Sequence, residues 1–168
     1  TVCGPLVACA TTHGTVCLYD IRKPNLAGHF DAHTGGISKA VFCSQEPNYL
    51  ATGGTSDGCV RLWDYRSTSV ARYTFDRVHS QGAWGAASTS ASASASSHQQ
   101  GVQNSHQHQH PSVTAISFYS DKRSIVFTGS SDGQLLALNT HGNPEDYIVS
   151  SAFCGSAPIT SILSSPGT

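Results

Sequence analysis

Histidine and cysteine are the side chains in this sequence best suited to chemistry. His98, His106, His108 and His110 crowd into one short stretch, the last three alternating with glutamine. Alternating imidazoles can catch a metal ion, but only weakly where no fixed geometry or supporting hydrogen bonds orient the ligands. The tract is therefore expected to use histidine as a neutral residue, with no metal and no cofactor. Six cysteines stand at positions 3, 9, 17, 43, 59 and 154. None forms a Cys-x-x-Cys pair, and no Cys/His spacing resembles a zinc site. Most lie in apolar, strand-like runs where a thiol behaves as a small hydrophobe. They read as reduced, buried thiols of a cytoplasmic or nuclear protein. There is no Gly-x-x-x-x-Gly-Lys phosphate loop, no Gly-x-Ser-x-Gly elbow and no His-Glu-x-x-His helix. The Gly-Gly and Ser-Asp-Gly clusters are hairpin turns, which need positive φ, rather than anion loops. No catalytic residue is assigned, and no enzyme is expected.

The elements that hold these residues are set by composition and pattern. The chain has 168 residues, with 9 Lys plus Arg against 10 Asp plus Glu, a net charge of −1. That balance argues against a general grip on nucleic acid or anionic lipid. Arg61, Arg66, Arg72, Arg77, Lys122 and Arg123 are scattered and not interleaved with aromatics, so an RNA-associated role has little support. No apolar run approaches the roughly 20 residues of a membrane-spanning helix, so no membrane insertion is expected. Only 11% of residues are charged, against about 25% in a typical domain. Part of the deficit is local: from Gln81 to Ser120 there is no charged residue at all, and 86–110 reads AASTSASASASSHQQGVQNSHQHQH. Such a composition buries too little apolar area to offset ordering, so 79–111 is expected to be a disordered insertion. Trp84 at its root is expected to anchor it back onto the ordered part.

Outside that tract the pattern is β, in short apolar runs broken by Gly, Asp, Ser and Asn. The runs repeat. LVACATTHGTVCLYD (6–20), LATGGTSDGCVRLWD (50–64) and VFTGSSDGQLLALN (126–139) are each a strand, a turn closing on Gly, and a second strand. Gly14 to Gly58 and Asp20 to Asp64 are both 44 residues; Gly58 to Gly133 and Asp64 to Asn139 are both 75, an excess of 31 that matches the neutral insertion. Strands upstream of the turns repeat as well, at Ile37–Phe42, Val113–Phe118 and Ile159–Leu163. A period of this length marks an array of supersecondary units.

Here the sequence resembles the WD-repeat family of β-propellers, whose units of about 40–45 residues each form a four-stranded blade. The middle unit carries the likeness best, with His33 four residues before Ile37 and then LATGGTSDGCVRLWD. The resemblance implies an all-β fold of four-stranded antiparallel blades, part of a seven-bladed propeller. It also implies a buried structural tetrad of His33, Thr52, Asp57 and Trp63, which locks a blade rather than attacking a substrate. The bonding is sensible chemically, since a turn Asp can accept from an imidazole and a buried indole N–H needs a partner. The outer units depart from the pattern. Cys9, His13 and Tyr19 stand where Ser or Thr, Asp and Trp are wanted. The third unit keeps Thr128 and Asp132 but has Leu138 and Asn139. Its histidine is open, because Gln109 precedes Val113 by four residues while His79 lies across the insertion.

The domain reading is the end of one blade (1–30), a complete blade (31–78), the insertion (79–111), a second complete blade (112–150) and the start of another (151–168). Remaining blades are expected from further sequence or a partner, since propellers close with about four to eight. A rigid disc with loops on both faces implies a non-enzymatic scaffold that binds other proteins in a larger assembly. The runs LVACATTHGTVCLYDIR and LATGGTSDGCVRLWDYR are similar to adjacent blades of small nucleoporins, implying a structural subunit of nuclear-pore or coat type. Trp63-Asp64-Tyr65-Arg66 is similar to the Trp-Asp-x-Arg ending of cullin-4 ubiquitin ligase substrate receptors. That likeness implies that Asp64 and Arg66 face the damaged-DNA-binding adaptor, with Asp20 and Arg22 a weaker echo.

Overall fold

The computed structural model describes residues 1–23, 25–76, 78–79, 111–119, 124–141 and 147–163. Most of the expected insertion, including Trp84 and the four clustered histidines, lies outside them. The described residues form twelve strands in three antiparallel sheets, each with its strands in chain order. The first sheet is β1 (Val2–Cys3), β2 (Leu6–Ala10), β3 (Thr15–Asp20) and β4 (Leu26–Asp31). The second is β5 (Ile37–Phe42), β6 (Tyr49–Gly54), β7 (Val60–Asp64) and β8 (Tyr73–Phe75). The third is β9 (Val113–Phe118), β10 (Ile125–Ser130), β11 (Gln134–Asn139) and β12 (Ile148–Phe153). Residues 1–30, read from sequence as the end of a blade, thus contribute to a sheet of four strands whose first is two residues long.

The hairpins follow from the glycines. Gly14, Gly58 and Gly133 occupy the same place in the central turns, at φ of 88°, 61° and 84°, a region that only glycine enters freely. At Gly14 and Gly133 there is a second reason. An added Cβ would lie 1.9 Å from the His33 carbonyl oxygen or 1.7 Å from that of Gly155. The turn is pressed against the chain leaving the outer strand, so a side chain is excluded twice over.

Two apolar cores lie between the three sheets. Ala8, Val16, Leu18 and Phe30 of the first sheet meet Phe42, Leu50 and Trp63 of the second. On its other face the second sheet offers Ala51, Val60, Leu62 and Phe75 to Val113, Ile116, Phe118, Val126, Leu136 and Leu138 of the third. Leu50 and Ala51 are consecutive and face opposite ways, which is why the central strand reads as a continuous apolar run rather than an alternating one. Each fully buried Leu or Val contributes about 1.5–3 kcal/mol. The outer strands bury little: all six residues of β12 are exposed.

The joints between sheets repeat in detail. Ser38 Oγ lies against the carbonyl oxygens of Gly53 and Val113. Thr114 Oγ1 does the same with Gly129 (3.2 Å) and Ile159 (2.6 Å). Ile159 therefore takes the place on the third sheet that Val113 takes on the second. An added Cβ at Gly53 or Gly129 would meet the Val113 or Ile159 side chain, respectively, at 2.6 Å. Residues 154–163 form no strand among the described residues.

Candidate functional site

The chemistry-bearing side chains meet between the first and second sheets. Thr52 is in the middle of β6, and Trp63 on β7 projects from the same face. His33 follows β4, and Asp57 belongs to the β6–β7 turn. These four come together. His33 Nδ1 is 2.8 Å from Asp57 Oδ2, His33 Nε2 is 2.8 Å from Thr52 Oγ1, and the Trp63 indole donates to Thr52 Oγ1 at 2.9 Å. A carboxylate only accepts, so Nδ1 carries the proton; the hydroxyl, accepting from the indole, gives its own proton to Nε2. Every hydrogen-bonding atom of the Thr52 and Trp63 side chains is committed within the set. Phe30 covers the indole, its ring centroid 4.8 Å away.

A fifth member escaped the sequence reading. Arg61 stands directly across from Thr52 in the β6–β7 register. Its guanidinium donates to the Ala32 carbonyl oxygen and approaches Asp57 Oδ2 at 3.8 Å. The usable signal was register: in an antiparallel pair the residue opposite a buried position shares its face. Burial pushes the Asp57 carboxyl up, but the His33 hydrogen bond, the Cys59 amide and Arg61 outweigh it and leave the group below its ordinary value. The Cys59 amide donates to Asp57 Oδ1 at 3.1 Å, fixing the carboxylate within its own turn.

The third sheet carries a parallel network facing the second. His79 supplies its imidazole, with Nε2 2.6 Å from Thr128 Oγ1. This resolves the open assignment in favour of the histidine across the insertion. Its Nδ1 meets Gln134 Oε1 at 3.4 Å rather than Asp132. The third turn is one residue shorter than the second, and Asp132 is turned to Ser130 Oγ instead. Leu138 fills the indole position, fully buried. Burial holds His79 below its ordinary pKa, against the opposing pull of Gln134 and Asp132.

The first sheet has no counterpart network among the described residues. Cys9 and Cys17 are the equivalents of Thr52 and Arg61, directly opposed across β2 and β3. They face away from the second sheet, and none of the six cysteines is in a disulfide. Only Cys43 and Cys59 are buried, while Cys9 and Cys154 are exposed. The expectation of mostly buried thiols fails: Cys9 and Cys17 point away from the second sheet, Cys3 sits at the rim of the core between the first two sheets, and Cys154 follows β12.

Asp64, the last residue of β7, and Arg66, just beyond it, stand apart from the tetrad. Arg66 Nε and its terminal nitrogen bind the two Asp64 oxygens at 2.9 and 2.6 Å, with the arginine side chain 59% exposed. Asp20 and Arg22 repeat the pairing at 2.9 and 2.7 Å. Both aspartates are held below the ordinary carboxylate range by the arginine two residues on, Asp20 at about 2.

Comparison with known proteins agrees with this geometry. The family model "WD domain, G-beta repeat" matches residues 24–64 and 99–136. The target of rapamycin complex subunit LST8 of Saccharomyces cerevisiae is 37% identical over 62 residues, covering 36% of this chain and 20% of that protein. The WD repeat-containing protein fzy-1 of Caenorhabditis elegans is 45% identical over 47 residues, covering 27% of this chain and 9% of its own. The chain thus spans a small part of either relative's length. A chain in a crystal structure of the mitotic checkpoint complex superposes with a TM-score of 0.64 at 19% identity, over 94% of this chain and 37% of that one. The computationally designed Ika4 protein gives 0.65 at 16% identity, over 98% of this chain and 77% of its own. The matched stretches, the three chain-ordered sheets and the recurring joints show that this chain carries WD repeats folded as four-stranded β-propeller blades.

Proposed function

We propose that this protein is a non-enzymatic scaffold that positions other proteins within a multiprotein assembly. The observation that carries the reading is the state of its most reactive-looking side chains. The Thr-His-Asp set is spent on itself: Thr52 is wholly buried, its hydroxyl already takes the Trp63 indole proton, and Phe30 covers that ring. A nucleophile needs access and an open attack path, and this hydroxyl has neither. The network holds a blade together and leaves the loops as the surface available to partners. Relatives support the assembly part of the reading, since LST8 is by its name a complex subunit. The sequence boundary at 150/151 falls inside β12, which runs to Phe153; we take the chain beyond that strand as the start of a further blade, on the strength of Ile159 repeating the placement of Val113.

The test is affinity purification of the full protein from its own cells, followed by mass spectrometry and generic esterase and phosphatase assays. Stoichiometric partners and no turnover are expected. Purification without partners, or turnover abolished by Thr52→Val, would overturn the reading. A second reading, docking of a ligase adaptor through Asp64 and Arg66, is favoured by one observation: the exposed Arg66 is held in a single orientation by its two-point contact. Arg66→Ala with an unchanged melting temperature should then abolish co-purification of the adaptor. Retention would leave the structural-subunit version of the scaffold.

A further inference from the structure

The outer edges of the three sheets are guarded differently. A bare edge strand templates pairing with another chain unless it is short, charged or covered. β4 carries His29 and Asp31, and β8 is three residues long, between Arg72 and Asp76. β12 has no such guard within it. It reads Ile-Val-Ser-Ser-Ala-Phe, without a charge or a proline, and all six residues are exposed, Val149 at 56% and Phe153 at 61%. One of its edges bonds to β11, and no strand among the described residues pairs with the other. Stacking leaves that edge alone, because the sheets meet through their faces, at the joints from Ser38 to Val113 and from Thr114 to Ile159.

The direction of the backbone groups at the free edge follows from the inner one. The Cys154 amide donates inward to the Gly133 carbonyl oxygen at 2.9 Å, and along an antiparallel strand successive residues turn their groups to opposite edges. Ser151 and Phe153 therefore aim their N–H and C=O groups outward. The irregularity of the strand lies at Val149, near its start, and Ser150–Phe153 run in unbroken register with β11.

We propose that β12 is a homodimer interface, at which a second copy of this chain adds its own β12 antiparallel to the free edge, about a two-fold axis at Ser151. Ser151 then faces Ser151 of the other copy, and the two exchange both of their backbone hydrogen bonds. Ser150 faces Ala152 of the other copy, and Phe153 comes beside its Val149. What makes a second copy the occupant is that the strand complements itself: small residues meet at the centre, exposed apolar residues meet at the ends, and no like charges are opposed. The acids nearest in sequence, Glu145 and Asp146, precede the strand and belong to none of these pairs. Only this edge is needed, so the proposal stands or falls independently of the scaffold reading.

The test is sedimentation velocity of the whole chain over a wide range of concentration, with a reductant present so that the exposed Cys154 forms no crosslink. A reversible dimer is expected, with amide hydrogen exchange at Ser151 and Phe153 slowing as the dimer fills. Ser151→Lys and Ser151→Glu each set like charges face to face and should each lose the dimer, with an unchanged circular dichroism spectrum because the residue is exposed. An equal mixture of the two should recover it, since lysine then faces glutamate. A monomer at every concentration overturns the proposal and leaves the edge to an extended segment of another protein. A dimer that survives both variants, a mixture that stays monomeric, or a dimer without slowed exchange at Ser151 overturns it as well. Should either variant fail to fold, exchange in the unaltered chain decides alone.

Discussion

Replacing Thr52 by valine is the sharpest probe of the buried network. The volume is nearly conserved, so packing is little changed, but the hydroxyl at the centre of the set is gone. Two groups then lose their only bond in the network on that side: the Trp63 indole N–H at 2.9 Å and His33 Nε2 at 2.8 Å. An unsatisfied buried polar group costs about 1–3 kcal/mol, and partial relaxation brings the sum to about 3 kcal/mol. Thr128→Val removes a hydroxyl that serves only His79, because Leu138 replaces the indole. One orphaned nitrogen should cost about 1–2 kcal/mol. Thr52→Ser keeps the hydroxyl and deletes one packed methyl, for about 1 kcal/mol. Urea unfolding followed by circular dichroism yields all three values if the transitions share one slope. A Thr52→Val loss below about 1 kcal/mol, or no greater than that of Thr128→Val, refutes the idea that the hydroxyl joins one donor and one acceptor in one working unit.

Acid should expose the same network. Asp57 titrates below its usual 3.8, so its charged form stabilises the fold above that value, and the contribution is lost as pH falls towards its folded-state pKa. Asp57→Asn should therefore lower stability at neutral pH and flatten the loss below about pH 4, read from melting temperatures across pH. Gly54→Ala places a Cβ 1.8 Å from Asp57 Oδ1 and 2.7 Å from His33 Nδ1, and a cost of about 1–3 kcal/mol is expected. Gly28→Ala, with nothing within 4 Å, serves as its control and should be near neutral. Mild oxidation with diamide should join Cys9 to Cys17, since directly opposed strand residues have Cα atoms about 5.5 Å apart where hydrogen-bonded. Peptide mapping of the crosslink checks the β2–β3 register, and a different pairing would show it to be slipped.

The repeat was legible because its signals are local. Gly14, Gly58 and Gly133 stand where the chain must take positive φ, and the flanking apolar runs are buried on two faces. The outermost strands were not read individually, and β8 and β12 show why: one is three residues long and the other exposes every side chain. A strand that packs against little has no pattern to display. The histidine of the third sheet was ambiguous because 30 extra residues separate it from β9, and sequence distance cannot say which of two candidates folds back. Arg61 was missed because cross-strand register, not spacing along the chain, brings it to Asp57. The first sheet was read as partial because β1 is two residues long, too short for any periodicity.

The placement of His79 bears on what the blade stack can host. In the second sheet the histidine and the first strand are four residues apart, His33 to Ile37; in the third, His79 and Val113 are 34 apart. Both boundaries of the longer connection are fastened independently. His79 is plugged into the Thr128 hydroxyl, and Ser112 binds Thr55 and Ser131 by hydrogen bonds. Each doubling of a loop's length costs only about 0.6 kcal/mol once its ends are fixed. This join is a natural splice point: a reporter or a foreign domain cloned into it would ride on the stack without disturbing the register of the strands on either side.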